Sequence, residues 1–272
     1  MNISPKVSFA SVRNNEENDF EIINSVSESG GGFDNTLQQP NSSGFVAWVG
    51  KLIDYLSGVF GERMTAPQLN KALGDIFSKE NGWEMFGCAG QEASHMSKIL
   101  GGKTYVVSAV SHDRPDYDSM ESITTGALPV ATTLGNIQEK YREGDVKVLI
   151  PIAQANNYGP SGVFGIRGHL VLLEADIKDG ELTHATLHDS KGGLLDHIYH
   201  GADRLNTLLR DKNIKTSDNF SLNVEYRGEQ SLFNGKDCGR FTAYYAHEIT
   251  KNGTLDNTSR AGARDFFTQH FG

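Results

Sequence analysis

The chain has 272 residues and a formal net charge of −9, long enough for one domain of about 200 residues plus extras or for two smaller ones. The acidic balance, with no basic stripe to neutralise phosphates, excludes a general nucleic-acid binder and fits a partner that offers a basic face. Two cysteines are too few for a disulfide framework and read as reduced thiols. No window reaches the roughly 18 apolar residues of a membrane span, so no integral membrane segment is expected and the chain reads as soluble.

Residues 1–43 are rich in Ser, Asn and Glu, with Gly30-Gly31-Gly32 and Gln38-Gln39-Pro40 as punctuation. They read as a flexible leader without the charged start and apolar core of a secretory signal. From Phe45 to Phe60 apolar residues recur at helical spacing, and Leu69, Leu73 and Ile76 mark a second helix over 66–78 after Pro67. The region 44–110 is therefore expected to be a helical accessory region. Within it, 82–100 reads as loop and then helix, and 103–110 as a strand.

Residues 112–122 read as an acidic loop, Val146–Ile150 as a strand and 155–162 as a Gly/Asn/Pro loop. His169–Ile177 is a strongly apolar strand, joined by a turn at Lys178-Asp179-Gly180 to a second strand over 182–188. A helix follows at 201–210, a short strand at 222–226, and helices from Cys238 to Ile249 and from Arg260 onward. Strands and helices are segregated and no glycine-rich phosphate loop follows a strand; Gly126 and Gly135 read as isolated loop glycines. The expected fold class is α+β, a central mixed or antiparallel sheet flanked by helices, with residues 111–272 as the core.

Three residue types in this core suit acyl transfer by a thiol. Cys238 opens a helix, where unpaired N–H groups favour a thiolate; Asp237 before it is a candidate cap, and Gly235 and Gly239 permit tight turns and close substrate approach. His169 opens one strand and Asp189 closes the next, so an antiparallel pair brings them to the same edge, provided the register holds. Nucleophile, base and base-orienting carboxylate then occur in the order His, Asp, Cys. Cys88, in Phe86-Gly87-Cys88-Ala89-Gly90-Gln91, is a rival nucleophile in the papain-like order Cys, His, Asp, but Gly82 stands where an oxyanion glutamine is expected. His184 and His188 share a strand face with no cysteine or carboxylate placed to complete a metal site, so neither metal nor cofactor is expected.

The stretch Asn234-Gly235-Lys236-Asp237-Cys238-Gly239, with His169 and with Leu187-His188-Asp189-Ser190, resembles the cysteine-protease clan of the ubiquitin-like-protein proteases and the adenovirus protease, which includes bacterial effectors. The resemblance covers roughly residues 145–250. It implies an adenain-like proteinase fold and a thiol protease or isopeptidase (a deubiquitinase or ubiquitin-like-protein isopeptidase) acting on ubiquitin or ubiquitin-like conjugates. Gln230 takes the place of the clan's oxyanion glutamine, about two residues farther from the cysteine because Leu232-Phe233 are extra. Leu170 stands where many members have a tryptophan over the base, and with Gly235 and Gly239 it is a candidate substrate-binding position. The leader then fits a virulence effector secreted into the host cytoplasm, with host proteins as partners. Two alternatives stay open: an effector acetyltransferase using acetyl-coenzyme A on the same triad, and a non-catalytic module that binds host protein. Asp189 in place of the acetyltransferases' usual Glu, and the sparse Lys/Arg clusters, favour proteolysis over acetyl transfer.

Overall fold

A computed structural model describes residues 64, 66–86, 94–113, 128–154, 169–191, 201–210, 214–230 and 236–271. The leader 1–43, the helix expected over 45–60, Cys88 and Gly235 lie outside them. The described elements are α1 (Ala66–Ile76), a 3-10 turn (Lys79–Asn81), β1 (Glu84–Phe86), β2 (His95–Leu100), β3 (Lys103–Ser108), β4 (Ser111–His112), β5 (Leu128–Pro129), α2 (Val130–Lys140), β6 (Asp145–Gln154), β7 (His169–Lys178), β8 (Glu181–Asp189), α3 (Gly201–Leu209), β9 (Thr216–Tyr226), α4 (Cys238–Asn252) and α5 (Arg260–Phe271).

The strands form one mixed sheet in the order β1-β2-β3-β6-β7-β8-β9, with β4 and β5 attached beside β6. The pairs β3/β6 and β8/β9 are parallel, and β6/β7 and β7/β8 antiparallel. The α+β class read from the sequence is the observed one. β6 and β7 are buried along most of their length, as expected of central strands covered on both sides. Alternate residues of β7 serve two cores. Leu170 and Leu172 join Leu149, α1, α4 and α5 in one core; Val171, Leu173, Ala175 and Ile177 join α2 and α3 in the other.

Helix α4 is enclosed because it packs on the sheet with one side and on α1 and α5 with the others, burying Phe241, Ala243, Tyr244, Tyr245, Ala246 and Ile249. It stops at Gly253, whose φ of 80° lets its N–H close on the Ile249 carbonyl.

Two local readings need correction. Residues 95–100 are a strand, not a helix: Gly101 and Gly102, both at positive φ, turn the chain so that β2 pairs along its whole length with β3, and pairing outweighs local propensity. Gly135 lies inside α2, not in a loop. Val130, Leu134 and Ile137 line the buried side of that helix, a pattern masked by the poor helix formers Thr132, Thr133 and Gly135. The region 44–110 contributes α1 and also the strands β1–β3, through which it joins the sheet at β6.

Toward the Lys178 end of β7 the face carrying Leu170 and Leu172 becomes polar. Glu174 accepts from Lys147 and meets His188 Nε2 at 2.8 Å, while His188 Nδ1 lies 3.2 Å from Glu225. His188 thus has the carboxylates of Glu174 and Glu225 beside it. Burial disfavours the Glu174 carboxylate, but the bonds from His188 and Lys147 and the lysine charge prevail and hold its pKa down from 4.5 to about 2. A depressed folded-state pKa stabilises the fold fully above 4.5, and that contribution disappears as pH falls through about 2. Glu174→Gln is expected to cost on the order of 2 kcal/mol at neutral pH, read as a lower urea midpoint, with the gap to the parent narrowing toward pH 2.

Candidate active site

His169 is the first residue of β7 and Asp189 the last of β8, and antiparallel pairing brings them to one end of the sheet. His169 Nε2 lies 2.7 Å from Asp189 Oδ1, with both residues buried. Oδ1 also accepts the Lys191 N–H at 2.8 Å, which fixes the carboxylate, and the Asp189 carbonyl accepts the Arg227 N–H at 2.8 Å, which fixes its backbone.

A β-bulge decides that this pair can meet. From the Asp179-Gly180 turn, Lys178 pairs with Glu181 and Ile177 with Leu182, but Asp176 pairs with His184. Thr183 is the extra residue, and its hydroxyl donates to the Asp176 carbonyl at 3.0 Å. One inserted residue exchanges the faces of everything beyond it. Beyond the bulge Leu187 faces Leu173 and His188 faces Leu172, which gives Asp189 the same parity as His169. An unbroken register would have sent them to opposite faces.

Cys238, 6% exposed, opens α4, where the Phe241 N–H closes the first helical turn on the Asp237 carbonyl at 2.9 Å. Asp237 occupies the cap position but its side chain makes no cap bond; its carboxylate pairs with Arg240 at 2.8 Å, so the expected capping role is corrected. Burial opposes the Cys238 thiolate. A hydrogen bond and charge from His169, the charge of Lys191 and the Leu170 N–H outweigh it, bringing the thiol from about 9 down to about 7. Burial likewise opposes the His169 imidazolium, and Asp189 followed by Cys238 raise it to about 9. Between those values the thiolate–imidazolium form is the favoured one.

Gln230, 2% exposed, belongs to the segment after β9, which continues the β8 pairing: its N–H donates to the Ser190 carbonyl at 2.9 Å, and its side-chain Oε1 accepts from the Ser190 hydroxyl at 2.6 Å. Just before it, Glu229 is held by Tyr245 of α4 and by Thr258 at 2.6 Å, and Arg227 donates to Thr258 at 2.8 Å. Tyr245 stays protonated, its pKa raised by burial and by the Glu229 carboxylate.

Leu170 is buried against the start of α4. A Cβ on Gly239 would come within 3.0 Å of Leu170 Cδ1 and 3.1 Å of Met64 Sδ, so glycine is what lets the nucleophile's helix approach the strand that carries the base. Gly239→Ala is expected to lower turnover at least tenfold with a stability loss of about 1–3 kcal/mol, measured as kcat beside a thermal melt. Lys191, 4% exposed, escaped the sequence reading; a lysine ahead of two glycines carries no signal of burial.

No protein-family model matches the chain, and no curated protein matches its sequence. Solved structures do. The fold is similar to that of a Legionella effector. A crystal structure of the Legionella pneumophila effector protein RavZ superposes with a TM-score of 0.52 at 17% identity, over 76% of this chain and 61% of that one. A structure of RavZ in complex with human LC3B superposes with a TM-score of 0.50 at 16% identity, over 76% and 58%. The chain thus spans about three fifths of RavZ, and the likeness is one of fold. Among the described residues no helix is long and apolar enough to cross a membrane, and no three His, Cys, Asp or Glu cluster as metal ligands would.

Proposed function

We propose that the protein is a thiol protease or isopeptidase that cuts after the C-terminus of ubiquitin or a ubiquitin-like modifier. The observation that carries this reading is the buried constellation of Cys238, His169 and Asp189, with His169 Nε2 2.7 Å from Asp189; Asp189 above all, and then Cys238, makes the imidazole more basic, and His169 in turn acidifies the thiol. The fold shared with RavZ, one of whose structures holds the ubiquitin-like protein LC3B, supports the modifier as substrate class. The effector name of that neighbour supports delivery into a host cell.

In the proposed reaction the Cys238 thiolate attacks the carbonyl carbon of the modifier's last residue and forms a C–S bond. Gln230 and the Cys238 N–H donate to the oxyanion of the tetrahedral intermediate. As the C–N bond breaks, the His169 imidazolium delivers its proton to the leaving lysine amine. Neutral His169 then takes a proton from water, whose oxygen attacks the thioester and releases the modifier as a carboxylate and Cys238 as the thiolate. Asp189 holds the ring and its charge throughout. Gly239 and Leu170 would border the path of the modifier's C-terminal tail, which must be narrow to reach a thiol 6% exposed.

The test is cleavage of isopeptide-linked conjugates of ubiquitin and of several ubiquitin-like modifiers, resolved by gel, with the parent and Cys238→Ala. Release of one modifier by the parent alone supports the reading. No release, together with transfer of labelled acetyl from acetyl-coenzyme A to protein, would replace it with the acetyltransferase.

A further inference from the structure

We propose that Ser190 is a positioning residue that sets which end of the Gln230 carboxamide is presented to the reaction; this rests on the acyl-transfer reading above. The two ends of a glutamine amide are nearly the same size and opposite in chemistry, since nitrogen donates two hydrogen bonds and oxygen only accepts. At an oxyanion the difference decides the sign of the interaction. The –NH2 end stabilises developing negative charge, while the carbonyl oxygen repels it. A glutamine in that role therefore needs something that fixes its orientation, and sterics alone cannot do so.

Here that something is specific. The Ser190 hydroxyl donates to Gln230 Oε1 at 2.6 Å, with both side chains 2% exposed. The same residue's carbonyl accepts the Gln230 N–H at 2.9 Å, so backbone and side chain are registered against one neighbour. With Oε1 committed to Ser190, the donor end is the one turned away from it. Reversing the amide would turn the Ser190 hydroxyl into an acceptor from the nitrogen and leave its own proton without the Oε1 acceptor it has here. It would also leave a buried carbonyl to find another donor, which is costly where water cannot reach. Because Ser190 directly follows Asp189, one short segment fixes both the carboxylate behind the base and the amide that would meet the oxyanion.

The experiment compares two reactions of the same thiol. p-Nitrophenyl acetate acylates a cysteine through a tetrahedral oxyanion, and iodoacetamide alkylates it by displacement without one. Rates of the nitrophenolate burst and of alkylation are measured at one pH for the parent, Ser190→Ala, Ser190→Thr, Gln230→Ala, Gln230→Glu and the Ser190→Ala/Gln230→Ala double variant. The expected result for Ser190→Ala is an acylation rate lower by about tenfold, part of the loss for removing an oxyanion donor outright, with alkylation within about twofold of the parent. Ser190→Thr, which keeps the hydroxyl, recovers most of the rate, and the double variant is no slower than Gln230→Ala. Gln230→Glu keeps an acceptor for Ser190 but turns an oxygen toward the reaction, and it acylates no faster than Gln230→Ala.

Equal loss of acylation and alkylation in Ser190→Ala, including loss through misfolding, together with parent-like acylation by Gln230→Glu, would overturn the inference. So would an unchanged burst in Ser190→Ala. A burst absent from the parent, or retained in Cys238→Ala, would instead sink the underlying acyl-transfer reading and the inference with it, so the two failures are distinguishable.

Discussion

Cys238→Ala is expected to lower cleavage of the modifier conjugate by about 10,000-fold or more, while its thermal transition stays within a few degrees of the parent's. The size follows from the chemistry: alanine has no lone pair to attack the carbonyl, and no other thiol stands beside His169 among the described residues. The small structural effect follows from volume, since one buried sulfur is removed beside a core otherwise supported by Phe241, Leu170 and Met64. Cys88→Ala distinguishes the rival nucleophile: it retains activity in this account and would lose it in the papain-like order.

Asp189→Asn is expected to have the second largest effect, a fall of about 100- to 10,000-fold in kcat. It changes the pH profile as well as the height. In the parent, activity rises through about pH 7 as the thiol ionises and falls through about pH 9 as the imidazolium loses its proton. Asparagine removes the charge that outweighs burial at His169. The imidazole pKa therefore drops, and with it the positive charge that acidifies the thiol, so the thiol pKa rises. The two limbs move toward each other, and the plateau between them disappears. A neutral amide also offers the ring two chemically different ends, so the tautomer is no longer fixed. Rates measured from pH 5 to 10 for both proteins check the shift; an Asn variant with the parent's two limbs at lower height would argue that Asp189 acts only on geometry.

Much of this arrangement is legible in the sequence. The apolar run from His169 and the Asp179-Gly180 turn announced a hairpin, and the helical spacing after Cys238 announced a buried helix, because both patterns are local and periodic. What escaped reading depends on partners distant in sequence. No pattern in Leu182-Thr183-His184-Ala185 marks Thr183 as the extra residue, yet the bulge decides whether Asp189 faces His169, and the registers of β8 with both β7 and β9 break near that point. The strand at 95–100 was missed for a related reason, since it becomes a strand through β3. Asp237 looked like a helix cap by type and position, and Arg240 claimed its carboxylate. Lys191 gave no sign of burial because lysine is usually exposed.

The central claim is that Cys238 becomes acylated by a modifier's C-terminus with His169 as its base. The most direct measurement is intact mass after incubation with ubiquitin and ubiquitin-like proteins carrying a C-terminal electrophile, for the parent, Cys238→Ala and His169→Ala. The account predicts one adduct of modifier mass on the parent with at least one modifier, none on Cys238→Ala, and labelling of His169→Ala slower by about 100-fold or more. An adduct that persists in Cys238→Ala, or a parent that no modifier labels, would contradict it.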